Sequence, residues 1–291
     1  MVTVEEQNIR GLEIDKIVKA VKFTEYVFKN DVTVSPTKSD SIRWYNKTSF
    51  GTLSATAAAA TANISPLSRF TTLESNVTRN TSYIRKYAVT DYISMEDVEG
   101  ADIDILALTI IDLTRVIINN IDTRIWDVLT KERAGVTAAA TDVNLVTSSG
   151  AWTSAAGDPL RDILAAQRTL WVSGGYNAGN PTLYLSPTDY QNLVVWLVTG
   201  KGSSIPNFAS RVAEDGTVAQ LGGIKIKVSP NVTADYAVLA LPSIACTWKQ
   251  FTDTTTEVIN HPGLGKEIRV WELGEAILTS PKAVCLISNT Q

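Results

Sequence analysis

The residues with the widest chemical repertoire are scarce in this chain of 291 residues: one histidine, His261, and two cysteines, Cys246 and Cys285. A Ser-His-Asp or Cys-His site would have to use His261. That residue lies in the turn sequence NHPGLG, and no GxSxG elbow accompanies it. The cysteines stand far apart and form no CxxC pair, so two buried free thiols are expected rather than a zinc site or a disulfide. Gly200-Lys201-Gly202-Ser203 resembles the end of a phosphate-binding loop only in part, because the lysine is followed by glycine and the upstream glycine spacing is missing. Gly174, Gly175 and Gly179 follow a helical run instead of opening one, as a dinucleotide site requires.

Carboxylates are the remaining route to chemistry. Asp102, Asp104, Asp112, Asp122 and Asp127 fall on one helical run. The spacings Asp112 to Arg115 and Asp122 to Arg124 suit ordinary ion pairs. A carboxylate-dependent enzyme is therefore the weakest reading. The chain is expected to be no enzyme and to use no cofactor and no metal.

The elements that would position these side chains follow from the pattern of apolar residues. Residues 5–29 place Ile9, Leu12, Ile17, Val21 and Phe28 among charges, as an amphipathic helix or docking arm does. SDSIRWYNKTSF and TTLESNVTRNTSYIRKYAVTDYI alternate like strands and flank the small-residue stretch GTLSATAAAATANIS, which together read as a long excursion. Ser94, with Glu96 and Asp97 behind it, opens a short turn. From residue 101 to 133, Ile103, Leu106, Ile110, Leu113, Ile117, Ile121, Ile125 and Val128 recur at three- and four-residue steps. A helix of that span is about 50 Å long. Ile105, Leu108, Ile111, Ile118 and Trp126 make it apolar on further faces, so it needs several covering partners. Asp158-Pro159 starts a second helix, and PTLYLSPTDYQNLVVWLV reads as strand, turn and helix. Residues 199–220 are polar and Gly-rich, an exposed loop, and the remainder alternates as strands punctuated by proline. Helices and strands are not strictly interleaved, which makes the fold class α+β.

Charged residues make up 19% of the chain against about 25% in an average domain, and the formal net charge is −4. That balance excludes a protein that holds nucleic acid by bulk positive charge. No apolar run reaches the roughly 18 residues of a membrane span. The N-terminus lacks a signal-peptide core, so a soluble chain made in a cytoplasm is expected.

In this order the elements resemble the major capsid protein of tailed bacteriophages and archaeal tailed viruses, the Hong Kong 97-like fold that encapsulins share. The resemblance rests on YAVTDYISMEDVEGADIDILALTIIDLTRVIINNIDTRIWDVL, on DPLRDILAAQRTLW with PTLYLSPTDYQNLV, and on QLGGIKIKVSPNV followed by YAVLALPSIACTW. It implies an N-terminal arm at 1–36 and an extended loop at 37–92 that overlaps the adjacent subunit. It implies a peripheral domain at 93–157 and 246–291, with the spine helix at 101–133, and an apical domain at 158–245. The implied function is an icosahedral shell around a viral double-stranded DNA genome, with an encapsulin-type nanocompartment as the alternative.

The implied partners are further copies of the chain in pentamers and hexamers, a separate scaffolding protein (or an already processed chain), a portal and cement proteins. Packaged DNA lies near without specific binding, and no membrane is involved. The implied location is the virion, after assembly in the host cytoplasm. Candidate contacts between subunits are Trp44, Tyr45, Phe50, Arg69, Phe70, Lys201, Phe208 and His261, because buried aromatic and arginine residues dominate interface energetics.

Overall fold

The alternating runs pair into three sheets in the computed structural model of the protein, which describes residues 26–47, 65, 77–100, 105–130, 143–154, 156–174, 179–199 and 220–291. In chain order the elements are β1 (Thr33–Pro36), β2 (Ser41–Lys47), β3 (Val77–Tyr83), β4 (Arg85–Ser94), α1 (Met95–Gly100), α2 (Ile105–Thr130), β5 (Asn144–Thr147), α3 (Pro159–Gly174), β6 (Thr182–Leu185) and α4 (Pro187–Thr199). They continue with β7 (Gln220–Leu221), β8 (Ile224–Val228), β9 (Tyr236–Ala240), the single turn α5 (Pro242–Ala245), β10 (Cys246–His261), β11 (Gly265–Leu278) and β12 (Val284–Ser288).

Three helices begin where a short polar side chain can take up a free backbone N–H. Ser94 Oγ accepts from Asp97 N at 3.1 Å, the Asp158 carboxylate from Arg161 N at 3.2 Å, and Ser186 Oγ from Asp189 N at 3.0 Å. Proline follows immediately at 159 and 187, where its missing N–H costs nothing. The long helix is present: α2 covers 26 residues, about 39 Å of axis. The rest of its expected span, 101–104 and 131–133, lies outside the described residues.

A four-stranded sheet runs β1-β10-β11-β4, with β1 parallel to β10 and the other pairs antiparallel. A six-stranded mixed sheet runs β5-β12-β9-β6-β8-β7, and β2 with β3 forms a separate two-stranded ribbon. Alternation along the strands sorts the cores. Leu183, Leu185, Ala237, Leu239, Cys285 and Ile287 face a cluster with Ile163, Ala166 and Leu170 of α3 and Leu193 and Leu197 of α4. Their sequence neighbours Tyr184, Val238, Ala240, Val284 and Leu286 face the other way, into a cluster with Ile121, Ile125, Trp126 and Leu129 of α2. That second cluster continues to Ile268 and Val270 of β11 and Trp248 of β10. Helix α2 is thus covered by both large sheets, which is why its apolar residues spread over more than one face.

Strand pairing joins segments that lie far apart in the chain. β4 is an edge of the four-stranded sheet along ten paired positions. β5 and β12 belong to the six-stranded sheet that also holds β6, β8 and β9. Residues 26–36 pack on both. Phe28 has no exposed surface, Tyr26 is 5% exposed, and β1 pairs with Thr247–Gln250. The physical reason is shared: sheet membership depends on hydrogen-bonding partners far away in sequence, which local alternation does not name.

Candidate intersubunit surfaces

Of the carboxylates considered for chemistry, Asp122 holds the body together, Asp112 lies on the exposed helix surface, and Asp102 and Asp104 lie outside the described residues. Asp122 is buried on α2 and accepts backbone N–H groups from Val27 at 2.8 Å, Phe28 at 3.4 Å and Lys29 at 3.2 Å. Burial pushes its carboxyl up to about 6, with the three N–H donors acting in the opposite direction. Asp112 makes the expected pair with Arg115 at 3.6 Å on the exposed helix surface. Arg124, expected beside Asp122, reaches instead to Glu275 of β11 at 2.7 Å, and Arg85 reaches the same carboxylate at 3.3 Å. Glu272, fully buried on β11, takes the Lys29 ammonium, the Tyr26 hydroxyl at 3.2 Å and the Thr254 hydroxyl at 2.6 Å. Lys29 also lies 4.7 Å from the Tyr26 ring centroid and 5.5 Å from that of Trp248. These groups form a seam between the N-terminal segment, α2 and β11.

Both cysteines are free and buried, and burial pushes each thiol up to about 12, so neither is poised as a nucleophile. Among the described residues no group of three His, Cys, Asp or Glu side chains could hold a metal ion, and no helix is long and apolar enough to cross a membrane. A cleft of about 340 Å³ beside Asp122 is lined by Val27, Arg115, Val116, Asn119 and the Ser229–Asn231 loop.

His261 ends β10 at the tip of the long hairpin. Its Nε2 lies 3.0 Å from the Glu267 carboxylate, and its ring is 6.3 Å from that of Tyr92. Arg269 and Thr90 also hydrogen-bond to Glu267, and the Arg269 and His261 bonds hold that carboxyl down at about 2. Leu264, at the turn, is 76% exposed.

The ribbon holds the other described candidates. Trp44 is half-buried and donates its indole N–H to the Leu278 carbonyl at 3.0 Å, a contact within the chain, whereas Tyr45 on the opposite face is 65% exposed. Phe50, Arg69, Phe70, Lys201 and Phe208 lie outside the described residues. Sequence reasoning missed Tyr83 and Tyr92, each 66% exposed, and Leu264. The alternation of β3 and β4 was the signal that could have placed the two tyrosines outward.

A long helix packed against two sheets, an antiparallel hairpin ending in an exposed tip and a separate two-stranded ribbon define an α+β fold of the Hong Kong 97-like type. The backbone superposes on that of a cyanophage P-SCSP1u capsid with a TM-score of 0.67 and 15% identity, over 90% of this chain and 88% of that one. It matches a Mycobacterium phage Che8 structure with a TM-score of 0.62 and 15% identity, over 91% and 92% of the two chains. A virus-like particle from Pyrococcus furiosus gives 0.62 and 11% identity, over 94% and 98%. No curated protein sequence matches the chain. The family model described as phage capsid protein matches residues 78–285. The chain belongs to the phage capsid protein family and is a major capsid protein.

Proposed function

We propose that copies of this chain assemble, as pentamers and hexamers, into the icosahedral shell of a virion enclosing double-stranded DNA. The observation that carries this is the family match over residues 78–285, which runs from β3 through the long helix to β11 and takes in most strands of both large sheets. In this reading residues 1–36 are the N-terminal arm, residues 37–92 are the extended loop that overlaps a neighbouring subunit, and the hairpin tip at His261 to Lys266 lies near contacts between capsomers. Residues 199–220 form the loop toward the capsomer axis. Assembly takes place in the host cytoplasm with a scaffolding protein, and a portal and cement proteins complete the particle.

A thin shell subunit needs broad contacts, and the low charge of 19% suits them. The −4 net charge keeps the subunit from gripping packaged DNA. Light scattering and negative-stain microscopy of the expressed chain test the reading. Closed particles or capsomers of megadalton mass are expected, and a monomer that persists at high concentration across salt would overturn it.

A further inference from the structure

We propose that residues 14–21 dock on the exposed stripe of α2 in their own chain, with Val21 set at Val116 and Ile14 at Leu108. The contact lies within a single chain and does not depend on the formation of particles.

Both large sheets cover α2, but one stripe of the helix stays open. Leu108, Asp112, Arg115, Val116, Asn119 and Asn120 are exposed along it at helical spacing. Leu108 is 49% exposed and Val116 47%, and they stand about 12 Å apart along the axis. Val116 also lines the cleft of about 340 Å³ beside Asp122, where Val27, Ile118 and Pro230 supply further apolar wall. The cleft and the stripe are thus continuous at Val116.

The N-terminal chain enters at this place. Asp122 holds the backbone N–H groups of Val27, Phe28 and Lys29, which fixes Val27 in the cleft wall. Residue 25 therefore lies no more than about 7 Å from Val27, because two Cα–Cα steps reach no further. Twenty-five residues precede Tyr26. Among them Ile14, Ile17, Val18 and Val21 recur at the i, i+3, i+4, i+7 spacing of one helical face, and Lys16 and Lys19 fall on the opposite side. On a helix, Ile14 and Val21 stand about 10 Å apart, close to the separation of Leu108 and Val116. Val21 is five residues from Tyr26, so it meets the stripe at the cleft end, and Ile14 meets it at Leu108. A tether this short gives an effective concentration in the mM range, well above that of other copies at about µM concentration in solution. The segment's own α2 is therefore the partner.

Cysteine pairs in the full-length chain test the docking. Cys246 and Cys285 are buried, which leaves introduced thiols as the reactive ones. Val21→Cys/Val116→Cys and Ile14→Cys/Leu108→Cys should each close a disulfide with diamide as oxidant, at least about tenfold faster than the exchanged pair Ile14→Cys/Val116→Cys. In an equimolar mixture of unlabelled and heavy-nitrogen chains, the linked tryptic peptides should carry one isotope only. Linked peptides of mixed isotope place the segment on a second copy and overturn the proposal, as does an absence of linkage or an exchanged pair that closes equally fast. A second readout needs no cysteine. Leu108→Lys/Val116→Lys should keep the melting transition of the body while trypsin cleavage after Lys16 and Lys19 rises at least about tenfold, since proteolysis follows the population of the open form. Unchanged cleavage overturns the docking. Particle formation enters neither readout, so a failure of the shell reading is seen separately.

Discussion

At the scale of single residues, Asp122 shows how a carboxylate that looks available for chemistry becomes structural. Its local spacing suggested Arg124, but its partners are backbone N–H groups up to 95 positions away, at the point where the N-terminal segment meets α2. One oxygen accepts from Val27 and Phe28 and the other from Lys29, so neither tolerates a donor. Asp122→Asn forces an amide NH₂ against a backbone N–H, and urea unfolding should show a loss of about 1–3 kcal/mol. Glu267 governs an acid response. Its folded-state carboxyl sits at about 2, below the ordinary 4.5, so its stabilising contribution is complete above 4.5 and lost as pH falls from there toward 2. Thermal melts across that window should show a decline that Glu267→Gln flattens. The Glu267 cluster was not legible in the sequence, since Thr90 reaches it across strands from 177 positions away.

At the scale of elements, the N-terminal segment carries more of the fold than its place in the sequence suggests. Phe28 is fully buried, with its ring 4.7 Å from that of Tyr184 and 5.8 Å from that of Trp126, where the six-stranded sheet meets α2. Phe28→Ala should cost about 3–5 kcal/mol in urea unfolding, through lost burial and the cavity it leaves. Lys29→Met tests the neighbouring seam: it strands the Glu272 carboxylate without its cation in the interior, and a loss of about 3–5 kcal/mol is expected by the same measurement. Helix starts were readable because Ser94, Asp158 and Ser186 act within three residues of themselves. The close packing of β11 on β10 was not. A Cβ at Gly274 would lie 2.4 Å from Trp248 Cζ2, a contact created only when the hairpin closes.

At the scale of the whole molecule, part of the 44% hydrophobic content faces outward, as Tyr45, Tyr83, Tyr92 and Leu264 do. In the proposed shell these side chains become buried on assembly. Deleting residues 51–65 should therefore abolish particles in electron micrographs while the remaining chain keeps its cooperative melt; particles of normal size from this variant would refute the role given to the excursion. The sequence by itself determined the α+β class, the long helix, the strand positions and the order of elements that matches a capsid subunit, because these depend on periodicity and caps within one turn or one strand. Only the tertiary structure decided which sheet receives β4, β5 and β12, that residues 26–36 pack on both large sheets, and that Trp44 faces its own chain while Tyr45 faces out. Those outcomes follow from hydrogen bonding and burial between segments far apart in the chain, for which a local pattern holds no record.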